Sequence, residues 1–162
     1  MPCACLLPIP DYPTNEAWGP IVWSILHSLA EKYGKLISPL YSLEETIYWT
    51  NLIKNTEHIL PCKECRKHYK DYLSNNPIQL KKENFVRLFF FNLHNDVNKR
   101  NSKPLFDYNL LNSTYKDTNM QYLVKQFEKI LDIVFQHNEV SLVSWKNWYS
   151  NYIKLKNIYG ID

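Results

Sequence analysis

Glycine is nearly missing, with 3 in 162 residues. The chain accordingly has no G-x-G-x-x-G turn and no Walker loop, so any nucleotide it binds must be held by side chains on regular elements rather than by a backbone phosphate cradle. No stretch approaches the roughly 18 apolar residues that cross a bilayer, and Met1 to Asp11 lacks both the basic start and the long apolar run of a secretory leader. A soluble protein outside the secretory route is expected. The 19 Lys and Arg nearly balance the 16 Asp and Glu, for a formal charge of +3. They form no basic tract, which argues against a nucleic-acid partner. Cysteine is limited to 4 residues, in the close pairs Cys3-Ala4-Cys5 and Cys62-x-x-Cys65. They are too few and too clustered to staple a secreted scaffold, and such pairs suit redox chemistry or a metal.

What the chain has in quantity is aromatic, 15% of its residues. Rings fill cores, and they also form the surfaces on which planar cofactors stack. Residues 1–15 carry Pro2, Pro8, Pro10 and Pro13 and read as an extended arm bearing Cys3 and Cys5. From Glu16 to Tyr33, Trp18, Ile21, Val22, Ile25 and Leu29 recur at helical spacing, and Gly34 is the expected stop. A second helix is expected from Leu43 to Ile59, capped by Ser42 and burying Ile47, Leu52, Ile53 and Ile59. A third starts near Cys62 after Pro61 and runs to Asn75-Asn76-Pro77. A fourth, from about Glu83 to Arg100, is expected to bury Phe85, Leu88, Phe89 and Leu93. Helical spacing returns over about Tyr115 to Phe135 and Ser141 to Tyr159. No segment alternates with period two for long enough to make a strand, so the fold class is all-α. The polar run from Asn112 to Asn119 divides a core of residues 16–116 from a helical extension, 117–162.

Three groups of residues can carry chemistry. Two cysteines at a helix start can close a disulfide, and the helix N-terminus favours a thiolate there, as do the adjacent charges of Lys63 and Arg66. A thioredoxin-like setting would need a strand before the pair, and the chain offers none. Gly19, Trp23 and His27 stand four apart along one face, which can receive a flat ring or can simply be buried core. His94 and Asn98, with Asn95 and Val97 beside them, form a polar patch on an otherwise aromatic helix. It is either an exposed helix end or a patch that something polar must satisfy.

The order Trp18-Gly19-Pro20-x-x-Trp23-x-x-x-His27, then Cys62-x-x-Cys65, then His94-Asn95-x-Val97-Asn98, then Lys103-Pro104-x-Phe106-Asp107 resembles the Erv/ALR family of FAD-linked sulfhydryl oxidases. The likeness covers about residues 16–110, roughly three fifths of the chain. It implies a four-helix bundle with a short fifth helix, FAD bound between helices, and a homodimer. It also implies roles: Cys65 next to the flavin, Cys62 facing an incoming dithiol, and Gly19, Trp23, His27, Tyr33, His68, His94, Asn95, Val97, Asn98 and Lys103 around FAD. Cys3 and Cys5 would shuttle electrons from a dithiol protein substrate or a thioredoxin-like carrier, with oxygen as the final acceptor and no metal. The family's structural disulfide falls here on Phe91 and Tyr108, where an aromatic contact could substitute. The small cysteine set is similar to that of the family's viral members, and the richness in Asn, Lys, Ile and Tyr suits an AT-rich large DNA virus. Host cytoplasm or virion is then the expected location, and the mitochondrial intermembrane space otherwise. The competing reading joins Cys3, Cys5, Cys62 and Cys65 into a four-thiolate zinc site of a non-catalytic interaction module.

Overall fold

The structure is a computed structural model and describes residues 7–162. Cys3 and Cys5 lie outside the described residues, and so does their expected shuttle role. Among the described residues there is no strand, and seven helices follow one another: α1 (Asn15–Ala30), α2 (Ser42–Thr56), α3 (Lys63–Asn75), α4 (Phe85–Arg100), α5 (Leu111–Tyr115), α6 (Met120–Gln136) and α7 (Leu142–Tyr159). No helix among them is long and apolar enough to cross a membrane.

α1 buries Trp18, Val22, Ile25, Leu26 and Leu29 and turns away at Gly34, whose φ of 79° is the left-handed conformation that glycine adopts without strain. The Gly34 N–H then donates to the buried Glu45 carboxylate at 2.7 Å, which joins the end of α1 to α2. α2 differs from expectation at two points. Tyr41 rather than Ser42 stands at its N-cap, because a short 3-10 turn capped by Ser38 precedes it. Ile47 is 46% exposed. The inward face of α2 is Glu45, Trp49, Leu52, Ile53 and Thr56, and a residue two positions from both Glu45 and Trp49 points away from it. Leu88 of α4 is 40% exposed for the same reason, since Val86, Phe89, Phe90 and Leu93 form the buried face. The helix expected from Tyr115 to Phe135 is α6, which starts later, at Met120, because a turn at 116–119 separates it from α5, ending at Tyr115.

α6 and α7 extend the core. Met120, Val124, Phe127, Leu131 and Val134 make one apolar stripe on α6, which packs along α1. α7 packs along α2 and buries Trp145, Trp148 and Tyr152, with Tyr149 half-buried beside them. Three polar contacts cross this second seam, while the buried Tyr152 hydroxyl has no partner among the described residues. The Trp148 indole donates to Thr56 Oγ1 at 3.0 Å, the Trp49 indole donates to the Tyr159 hydroxyl at 2.7 Å, and that hydroxyl donates to Glu45. The extension thus supplies the partner of the Trp49 indole and a second partner each for Thr56 and Glu45.

At positions 91 and 108 two rings meet. Phe91 and Tyr108 pack edge to face with centroids 5.2 Å apart, and Arg87 lies over the Tyr108 ring at 5.3 Å while its Nε donates to Glu31 at 2.8 Å. This non-covalent contact holds the segment leading into α5 against α4.

Candidate active site

Pro61 ends the α2 region and lets α3 begin afresh, with Cys62 as its N-cap in extended backbone. The Cys65 N–H donates to Cys62 Sγ at 3.1 Å, so a sulfur fills the place usually taken by a Ser or Asp oxygen. Cys62 and Cys65 are joined as a disulfide with Cα atoms 5.0 Å apart. When the pair is reduced, the free N–H groups of the first turn of α3 favour its thiolate form. Lys63 stays exposed. Arg66, expected to act alongside it, is instead committed elsewhere: Nη1 donates to the Leu60 carbonyl at 2.7 Å and Nη2 to Glu139 at 3.1 Å.

Both cysteines line a cavity of about 360 Å³ between α1, α3 and α4. Trp23, His68 and Val97 also line it, together with Trp18 and apolar residues including Leu26 and Leu93. Trp18 is 6% exposed, and its buried indole N–H has no hydrogen-bond partner. A buried donor without an acceptor is costly, and an acceptor on a ligand in the cavity would satisfy it.

Beyond Trp23 the aromatic surface continues. The Trp23 and His94 rings stack with centroids 4.1 Å apart at 6°, and His27 stacks on Tyr115 at 4.7 Å. His27 Nε2 and His94 Nδ1 are 2.9 Å apart, so one ring donates and the other accepts. Burial, with the His94 ring beside it, pushes His27 down to about 3, while burial and the nearby Lys103 push His94 down to about 4. Both rings are therefore neutral at pH 7. The unfolded chain titrates near 6.5 and binds more protons than the folded one between that value and the lowered ones, so stability is full above pH 6.5 and falls as the pH falls through this window. For His27 the expected loss is about 1.4 kcal/mol per pH unit below 6.5, or about 3–5 °C in Tm for a chain of this size. Thermal melts at pH 7, 6 and 5 measure it, and His27→Gln should flatten the slope. A wild-type Tm unchanged between pH 7 and 5 would show that the pair does not titrate in this way.

The other expected residues are placed differently. Asn95 holds the chain that follows α4: its Nδ2 donates to the Phe106 carbonyl at 3.0 Å, and its Oδ1 accepts from the Phe106 N–H at 2.8 Å. The Asn98 carbonyl accepts from the Lys103 N–H at 2.8 Å, and the Lys103 side chain is exposed. Tyr33 lies away from the cavity, donating to the Leu80 carbonyl and meeting the edge of Trp49. Gly19 is half-buried on α1, and a Cβ there would meet no atom within 4 Å. The fold of this chain therefore does not require glycine at that position. Sequence reasoning passed over Asp96, whose Oδ2 lies 2.7 Å from His68 Nε2 and 3.4 Å from Arg100 Nε. It also passed over the cavity role of Trp18. The His68–Asp96 pair joins α3 to α4, and no local spacing announces it.

Fold and site together define an all-helical protein with a dithiol–disulfide pair at a helix start, facing a cavity walled by rings. A model described as the Erv1 / Alr family matches residues 20–120. The FAD-linked sulfhydryl oxidase of African swine fever virus (isolate Pig/Kenya/KEN-50/1950) is 34% identical over 112 residues, 68% of this chain and 87% of that protein. A protein of Invertebrate iridescent virus 3 is 36% identical over 91 residues, 55% of this chain and 59% of that one. The chain thus spans about three fifths of the iridescent virus protein. A crystal structure of a mutant of Erv1 from Saccharomyces cerevisiae superposes with a TM-score of 0.54 at 28% identity, covering 72% of this chain and 96% of that one. The chain belongs to the Erv1 / Alr family.

Proposed function

We propose that the chain is an FAD-linked thiol oxidase that makes disulfides in dithiol proteins or in a thioredoxin-like carrier, and that it is a large-DNA-virus member of its family acting in host cytoplasm or virion. The observation that carries this reading is the Cys62–Cys65 disulfide on the wall of an aromatic cavity. The residues there suit the cofactor. Trp18 offers an unpaired donor, Trp23 and the apolar side chains offer flat surfaces, and His27 and His94 extend the ring surface in neutral form. FAD bound there would supply a two-electron acceptor, and oxygen, in reoxidising it, would be reduced to hydrogen peroxide. The protein's part is thiol chemistry and positioning. A substrate thiolate attacks Cys62, Cys65 leaves as a thiolate within the cavity, and a second substrate thiol displaces Cys62 to complete the product disulfide. The His68–Asp96 pair, by joining α3 to α4, holds two walls of the cavity in register, and Asn95 fixes the chain at Phe106.

The test is direct. The purified chain should be yellow, show a flavin spectrum, and consume oxygen when given dithiothreitol. A colourless preparation carrying stoichiometric zinc would overturn the reading. In the same assay the doubly substituted Cys3→Ser/Cys5→Ser chain should lose about tenfold or more with a reduced protein substrate and little with dithiothreitol, because only the bulky substrate needs a relay. An equal loss on both substrates, or none on either, would remove the shuttle.

A further inference from the structure

The residue Cys62 borders two hollows. The cavity described above takes in both cysteines, whereas a second groove of about 580 Å³ takes in Cys62 alone, bounded by Tyr12, Pro61, Lys63, His137 and Glu139. His137 and Glu139 belong to the turn between α6 and α7, beyond residues 20–120 matched by the family model. The extension therefore builds part of the surface around the attacked cysteine.

The groove is held together by specific contacts. The Tyr12 hydroxyl donates to the Pro61 carbonyl, Arg66 pairs with Glu139 at 3.1 Å, and the Tyr12 ring meets His137 edge-on with centroids 5.1 Å apart at 87°. His137 Nε2 lies 2.8 Å from the Pro10 carbonyl oxygen. A carbonyl only accepts, so Nε2 carries the proton, and in the neutral ring the basic nitrogen is Nδ1. Among the described residues Nδ1 has no hydrogen-bond partner. An oriented imidazole with an uncommitted basic nitrogen thus shares a groove with Cys62. The charged and titratable groups facing it are Tyr12, Lys63, Arg66 and Glu139. Burial, with Glu139 nearby, raises Tyr12, so its phenol stays protonated and cannot serve as the base.

We propose that His137 is the base that takes the proton from the incoming thiol. The thiol S–H bond breaks and its proton passes to Nδ1. The sulfur's electron pair forms a bond to Cys62 Sγ, the Cys62–Cys65 bond breaks, and its pair leaves on Cys65 as a thiolate. The second substrate thiol gives its proton to solvent and displaces Cys62 from the mixed disulfide. The substrate has then lost two electrons and the cysteine pair has gained them. Lys63, whose charge is not paired with Glu139, stands at the same groove to favour the thiolate. The proposal rests on the thiol oxidase function.

The test uses His137→Gln in the full-length flavin-loaded chain. The glutamine amide reaches the place of Nε2 and can keep the Pro10 contact, while the base is lost. The measurement is the rate of flavin bleaching by a reduced peptide with two cysteines, without oxygen, from pH 6.5 to 10. A thiol of pKa about 8.5 is only about 3% ionised at pH 7, so a local base can raise the rate by at most about thirtyfold there and by almost nothing above pH 9.5. His137→Gln should therefore be about ten- to thirtyfold slower at pH 7 and within about twofold of wild type at pH 10. In a second variant, His137→Ala, added imidazole should restore the pH 7 rate. Equal rates at every pH would overturn the proposal, and so would a deficit that stays constant across pH with no imidazole rescue, which marks a structural role. If wild-type flavin itself fails to bleach, it is the oxidase function that falls.

Discussion

Cys65→Ser should reduce turnover with any dithiol by at least about 10³-fold while leaving the flavin bound, because the substitution removes the leaving group of the exchange and the cavity-side sulfur without disturbing the rings. Both sulfurs are needed for a disulfide, so Cys62→Ser should be equally inactive. The two variants part in what remains. In Cys62→Ser the Cys65 thiol lies inside the cavity and should be slow to react with a bulky alkylating reagent. In Cys65→Ser the Cys62 thiol lies at the second groove and should react readily, its thiolate favoured by the first turn of α3. Oxygen consumption, flavin absorbance and alkylation followed by intact mass measure all three properties. Wild-type oxidation of dithiothreitol by both variants would show that Cys62–Cys65 is not the site.

The second large effect is on stability. A chain ending at Asn119 loses twelve of the 29 residues of the buried apolar core, among them Trp145, Trp148, Phe127 and Leu131. Each such side chain contributes roughly 1.5–3 kcal/mol by burial, and their total exceeds the about 5–15 kcal/mol of net stability typical of a domain. Polar groups suffer too, since Trp49 Nε1 loses Tyr159, Thr56 Oγ1 loses Trp148, and Glu45 keeps only the Gly34 N–H. The truncated chain should fail to reach a cooperative fold or to retain FAD. Melting temperature, flavin content and sedimentation mass measure it. A truncated monomer that melts within about 5 °C of the full chain would show that α6 and α7 are not part of the core.

Much of the molecule was legible in one dimension because its signals are local. Helix spacing fixed six of the seven segments to within a few residues, and the C-x-x-C pair after Pro61 announced a redox helix start. Along α7, Trp145, Trp148, Tyr149 and Tyr152 recur at i, i+3, i+4 and i+7, a spacing that puts four rings on one face, and the structure buries three of them. Misses occurred where a helix offers apolar residues on more than one side, as at Ile47 and Leu88. There only the neighbouring element decides which side is inside.

The sequence by itself determined the all-helical class, the reactive pair and the ring-bearing face of α1, since each depends on spacing along a single element or a few adjacent residues. Only the tertiary structure decided where the extension goes, that Trp18 presents an unpaired donor at the cavity, and that Arg66 is bound to Glu139 rather than left beside the thiols. Asp96 reaches His68 across 28 positions and His137 reaches Pro10 across 127. Such pairings depend on how helices pack against one another, and no local pattern of residues encodes them.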